Sequence, residues 1–199
     1  MVTAAEQGRE TRARLMAAAV DLVAEHGWGA VTTRLVAERA GVRPGLVHYH
    51  FSSITDLLID ASVHTARHEY ESVNTAVLAV PGADAMRGML AAIAAYTAAD
   101  PVTVAMTEMM LAATRHERLR VELGRLAADG RAAMAQWFRD NSTVADPEAT
   151  AVVIVALLDG LILHRMIDPG SARSNSRTPR SSPRPRRTGL PRNCVRYPA

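Results

Sequence analysis

The chain has 199 residues and a formal net charge of +3, enough for one or two compact modules with a real hydrophobic core. Its charge is uneven: residues 1–172 hold 15 Arg against 20 Asp and Glu, whereas residues 173–199 hold eight Arg and no acid. The single cysteine, Cys194, excludes an internal disulfide framework and any thiolate metal cluster from this chain alone.

Apolar residues recur at helical spacing almost throughout, which predicts an all-α chain. A first helix carries Leu15, Ala18, Ala19, Leu22 and Val23 on one stripe and ends at Gly27 and Gly29 around Trp28. Thr32 and Thr33 can cap a second helix over Leu35–Ala40, stopped by Gly41. Pro44 opens a short third helix to about Phe51, and Ser52 and Ser53 are candidate caps for a fourth, running to about Leu78. Pro81-Gly82 breaks that helix.

Four more helices follow: Asp84–Ala99; one opened by Asp100-Pro101; one over about Arg118–Arg139, weakened by Gly124 and Gly130; and one opened by Asp146-Pro147-Glu148 and running to about Met166. This last helix is apolar on nearly all sides and needs partners around it. Its longest strictly apolar run, Ala151–Leu158, is eight residues, against roughly 20 for a membrane span. Charges at Glu6, Arg9, Glu10, Arg12 and Arg14 interrupt any signal-peptide core. The expectation is a soluble, cytoplasmic chain with no membrane partner. From Arg173 onward, eight Arg and five Pro with only scattered apolar groups predict a disordered basic tail. A change of reading frame and a natural tail that attracts DNA non-specifically both account for the abrupt shift.

Three helices joined by very short connections make a helix-turn-helix candidate. Val36, Ala40, Val42 and Val47 fall where one helix packs on the other, Ala37 must be small for a close crossing, and Gly41 suits positive φ. This leaves Arg43, Pro44, Gly45, Leu46, His48, Tyr49 and His50 around the start and outer face of the third helix. An ordinary helical hairpin fits the same pattern, because residues 1–65 hold six Arg against seven acids and supply no basic footprint. All 23 cationic residues are arginine, which a coding bias explains as readily as function.

The run TTRLVAERAGVRPGLVHYHFSSITDLL, preceded by AVDLVAEHGWGAV, resembles the DNA-binding domain of TetR-type (tetracycline repressor-like) transcriptional regulators over about residues 10–60. The matching positions are Thr32-Thr33, Val36-Ala37, Ala40-Gly41-Val42, His48-Tyr49-His50-Phe51 and Ser53-Ile54-Thr55-Asp56-Leu57. Two positions depart from the family pattern: His48 replaces a usual Tyr and Ile54 a usual Lys, both of which commonly reach the DNA backbone. The resemblance implies that Thr32 and Thr33 meet phosphate at a helix N-terminus. It implies that Arg43 grips a guanine edge or a phosphate, Leu46 meets a thymine methyl, and Gly45 permits close approach of the helix to the groove, with Pro44 beside them on the DNA face. Tyr49 and His50 would bond backbone oxygens, with a buried structural role open for His50, and Phe51 would plug the small core.

For the body, Tyr96, Met106, Met109, Met110, His116, Met134, Trp137 and Phe138 are candidate lining for a small apolar effector, against plain core packing for any one of them. The family habit implies a dimer built by the last two helices, with Val153, Ile154, Leu157, Leu161 and Ile162 on the penultimate one; the last one is missing from the sequence pattern. The organisation expected is a helix-turn-helix head at residues 8–55, a helical regulatory and dimerisation domain at 56–170, and the tail at 171–199. The function expected is a ligand-responsive regulator, a repressor on a palindromic operator, with DNA, an apolar effector and a second copy as partners. The alternative is a helical ligand-binding or protein-interaction module with a weakened DNA head. No enzyme signature occurs, no cofactor is implied, and His64 and His68 lack a third ligand for a metal.

Overall fold

In a computed structural model of the chain, which describes residues 3–78, 84, 87–88 and 100–168, every regular element is helical. Helix α1 (Ala4–His26) opens with a capping box: Thr3 Oγ1 accepts from the Glu6 N–H, and the Glu6 carboxylate accepts from the Thr3 N–H. These bonds hold the Glu6 carboxyl below its ordinary pKa, the Thr3 backbone N–H first. The helix buries the expected stripe of Leu15, Ala18, Ala19, Leu22 and Val23, together with Met16. Gly27 ends it at φ 79°, a conformation that a side chain would strain, and a single 3-10 turn (Trp28–Ala30) follows.

Helix α2 (Thr33–Arg39) is capped by Thr32, whose hydroxyl accepts from the Leu35 N–H. Its end is a Schellman motif: Gly41 takes φ 65°, its N–H donates to Glu38 O, and the Val42 N–H donates to Ala37 O. Helix α3 (Pro44–His50) begins with Pro at N1, where no N–H is needed. Ser53 caps α4 (Ile54–Leu78) by accepting from the Asp56 N–H. Asp100 caps α5 (Pro101–Ala113), with its carboxylate bonded to the Thr103 N–H and hydroxyl. Helix α6 (Glu117–Asn141) runs unbroken through both glycines. Gly130 faces the Tyr70 ring of α4, and a Cβ there would lie 3.4 Å from it, in ordinary van der Waals contact. Asp146 and Pro147 open α7 (Pro147–Ile167) as expected.

Three buried clusters organise these helices. The first unites α1–α4 around Leu15, Leu22, Val36, Val47, Phe51 and Leu57 and extends into α5 through Ala105 and Met109. The second joins α6 and α7 through Met134, Ala135, Phe138 and Ala151. The third, Ile59, Ala112 and Leu119, sits beneath Trp28. The head thus shares its core with the body. Pro81-Gly82, most of the helix expected over 84–99, Tyr96 and the tail fall outside the described residues.

The eight-residue apolar run of the sequence belongs to a longer element. Helix α7 spans 21 residues and is long and apolar enough by length and composition to cross a membrane. Stopping the count at Asp159 missed this, because one charge does not end an apolar helix. Val152, Val153, Leu157, Leu163 and Ile167 are all exposed on it.

Candidate DNA-binding face and regulatory body

Packing of α2 on α3 decides which side chains remain available to a partner. Val36, Ala37 and Val47 are essentially fully buried, with Ala40 and Val42 half-buried against them, as the spacing predicts. Arg43, Pro44, Gly45, Leu46, His48 and Tyr49 are left exposed around the start and outer side of α3. Tyr49 is the extreme case, a large aromatic left 80% exposed. His50 is half-buried, lies beside Gly8 of α1, and meets the Tyr49 ring edge-on at 5.0 Å. Thr32 is exposed and already accepts a capping bond, so its O–H is what remains to donate; Thr33 is half-buried.

The head's charge count conceals how its charges are used. Arg39 is held by two bonds to Glu25 of α1, at 2.8 and 2.6 Å, which also keep the Glu25 carboxyl below its ordinary pKa. Arg12 is held by Asp60 at 2.7 Å and lies over the Phe51 ring, 4.8 Å from its centroid. Arg34 and Arg43, at the starts of α2 and α3, are exposed and pair with no carboxylate among the described residues. The near-zero net charge is therefore compatible with two free guanidiniums, one at the start of each helix of the helix-turn-helix, suited to phosphate or guanine. Sequence reasoning missed Arg34; its place in the first turn after Thr32-Thr33 was the available signal.

Ile54, the departure from the family pattern, packs partly against the head core. Phe51 is in that core, as expected.

Among the described residues, the expected effector residues are spread over more than one cluster. Met109 is buried and Met106 partly buried in the head's own cluster, under α1. His116 is half-buried and tilted against Trp28, with ring centroids 5.6 Å apart. Met134, Trp137 and Phe138 belong to the α6–α7 cluster, and Met110 is exposed. Helical spacing puts Met on these helices without saying which neighbour each helix turns toward. The expected interface set divides similarly. Val153 and Leu157 face outward, whereas Ile154, Leu161 and Ile162 are half-buried against Met134 and Phe138.

Polar links between head and body also escaped the sequence. Glu108 of α5 accepts the Trp28 N–H at 3.1 Å. Arg118 of α6 reaches Asp56 and Asp60 of α4. The Asp56 carboxyl is held below its ordinary pKa by the Ser52 and Ser53 hydroxyls first, and then by Arg118. In the body, burial pushes the Asp159 carboxyl up, partly offset by Arg131, and raises Tyr70 as well. Among the described residues no group of three His, Cys or acidic side chains is placed to hold a metal.

A short exposed helix set by a Schellman turn onto a second, on a body of longer helices, defines a helix-turn-helix regulator. Residues 15–61 match the family model for bacterial regulatory proteins of the tetR family, and residues 80–187 match that for the tetracyclin repressor-like C-terminal domain. The chain belongs to the TetR family and is a DNA-binding transcriptional regulator; the family is one of regulators, not enzymes. An uncharacterised HTH-type transcriptional regulator of Mycobacterium tuberculosis is 27% identical over 183 residues, covering 89% of this chain and 93% of the relative. Among solved structures, a transcriptional regulator from Rhodococcus sp. Rha1 aligns with a TM-score of 0.67 and 26% identity, covering 79% of this chain and 84% of its own. The multidrug binding protein EbrR, complexed with imidazole, aligns with a TM-score of 0.62 and 27% identity, covering 80% and 82%.

Proposed function

We propose that the protein is a ligand-responsive repressor that binds a palindromic operator as a homodimer and releases it when a small, apolar effector enters the helical body. The observation that carries the DNA side is the uncovered outer face of α3, with Tyr49 80% exposed near its end and Arg43 exposed at its start. Arg43 reads a guanine edge or clamps phosphate, Leu46 meets a thymine methyl, and Tyr49 and His48 bond backbone oxygens. Thr32, Thr33 and His50 complete the contacts, while Pro44 and Gly45 keep the helix start slim.

The dimer reading rests on α7, whose exposed Val153 and Leu157 form an apolar face that water disfavours. The same face accounts for the high hydropathy of this helix without a membrane. The helix-turn-helix domain ends near residue 55, with the start of α4 packed into its core and moving as part of the head; the regulatory domain runs to about 170, and the basic tail follows. Ligand response draws support from the similarity to EbrR, a multidrug binding protein, and from the shared core that joins α5 to the head. An effector that prefers one arrangement of the body shifts the population toward a head spacing that fits the operator poorly.

The test is selection of genomic fragments on the purified protein, followed by mobility shift on the enriched sequence and a screen of apolar compounds for release. Enrichment of an inverted repeat and its release by a compound is the expected result. Retention no better than on random DNA at physiological salt refutes the proposal.

A further inference from the structure

The contacts between the head and the start of α6 form one continuous ionic chain. Arg118 Nη1 donates to Asp56 Oδ1 at 3.0 Å and Arg118 Nη2 donates to Asp60 Oδ1 at 2.5 Å, so one guanidinium bridges two carboxylates a helical turn apart. The second oxygen of Asp60 accepts from Arg12 at 2.7 Å, and Arg12 lies on Phe51, the residue that ends the recognition helix. The second oxygen of Asp56 accepts from the hydroxyls of Ser52 and Ser53, at 2.6 and 2.8 Å, in the turn between α3 and α4. Both ends of the chain therefore reach the three residues that follow α3.

We propose that Arg118 is a positioning residue for DNA binding: the body grips the exit of the recognition helix through the Arg118–Asp56/Asp60 fork. This rests on the reading of α3 as the DNA-contacting helix. Its neighbours fix the fork in place, because His116 lies against Trp28, and Leu119 is buried with Ile59. The first turn of α6 is thus seated on the head by apolar contacts, and the fork converts a tilt of that turn into a displacement of Ser52 and Ser53. Exposed ion pairs contribute little to stability, and Arg118 is half-exposed, so the function of the fork is orientation. A planar guanidinium spans two carboxylates with fixed geometry; an ammonium does not.

The experiment compares wild type, Arg118→Gln, Arg118→Lys, Asp60→Asn and the Arg118→Gln/Asp60→Asn double variant in full-length protein. Operator affinity, its salt dependence, melting temperature and amide hydrogen exchange are measured for each. Arg118→Gln weakens operator binding by about fivefold or more, the lower end of ordinary site-to-site coupling. Arg118→Lys falls between it and wild type. The salt slope stays unchanged, because Arg118 touches no phosphate. The loss is non-additive with Asp60→Asn. Amides of residues 44–57 exchange faster in Arg118→Gln, while those of α7 keep their protection. Wild-type affinity in Arg118→Gln, an additive cycle, or a salt slope reduced by about one overturns the proposal. The exchange measurement needs no DNA, so it decides the fork even if the α3 reading fails: unchanged exchange over residues 44–57 also overturns it.

Discussion

Replacing Val153 and Leu157 of α7 with Asp tests the dimer reading at its centre. The two side chains are 63% and 54% exposed in the monomer. Complete burial of a Val or Leu side chain is worth about 1.5–3 kcal/mol, so each has about 1 kcal/mol left to gain across an interface. A two-fold axis doubles the count to four side chains, about 4 kcal/mol, or about three orders of magnitude in the dissociation constant. Four buried carboxylates add a desolvation cost that drives the effect further in the same direction. Neither residue belongs to the Met134–Phe138 cluster, so the monomer's own packing is spared. Sedimentation equilibrium at low micromolar concentration is the assay. Wild type sediments as a dimer and the double variant as a folded monomer with far-UV circular dichroism retained. A double variant that keeps the dimer mass, or a monomeric wild type, refutes the reasoning.

Arg43→Ala is expected to weaken operator binding by about 1–3 kcal/mol, about 5- to 150-fold, with no change in melting temperature because the side chain is exposed and unpaired; equal affinities in a mobility shift at fixed salt would remove Arg43 from the interface. Glu6, Glu25, Asp56 and Glu117 all have carboxyls lowered in the folded chain by hydrogen bonds, the last by Arg120. Their contribution is complete above the unfolded-state pKa and is lost as pH falls through the lower folded values, so thermal melts should decline below the ordinary carboxylate range and not above it. Asp159 has the opposite sign: its folded pKa is raised by burial, so it disfavours folding increasingly as pH rises through that value. Asp159→Asn should raise the melting temperature at pH 7 and leave it unchanged at pH 3. Truncation after Gly170 removes eight Arg and no acid per subunit; a salt series on random DNA should show weaker binding with a shallower slope, and sedimentation should still show a dimer.

Local signals in the sequence determined the helices and the identity of the head. Thr32, Pro44, Ser53, Asp100 and Asp146 act as caps or first residues because such signals operate within one turn of chain. Val36, Val47 and Gly41 made the helix-turn-helix legible, since burial and a left-handed turn are imposed by short-range geometry. What only the tertiary structure decided depends on pairs remote in the chain. Arg118 meets Asp56 and Asp60 across 62 and 58 residues, and Glu108 meets Trp28 across 80, with no spacing rule to announce them. Met109 and Met134 read alike in sequence, yet one packs under α1 and the other against α7. Hydrophobic burial is non-directional, so periodicity states that a face is buried, and only the packed helices state against what.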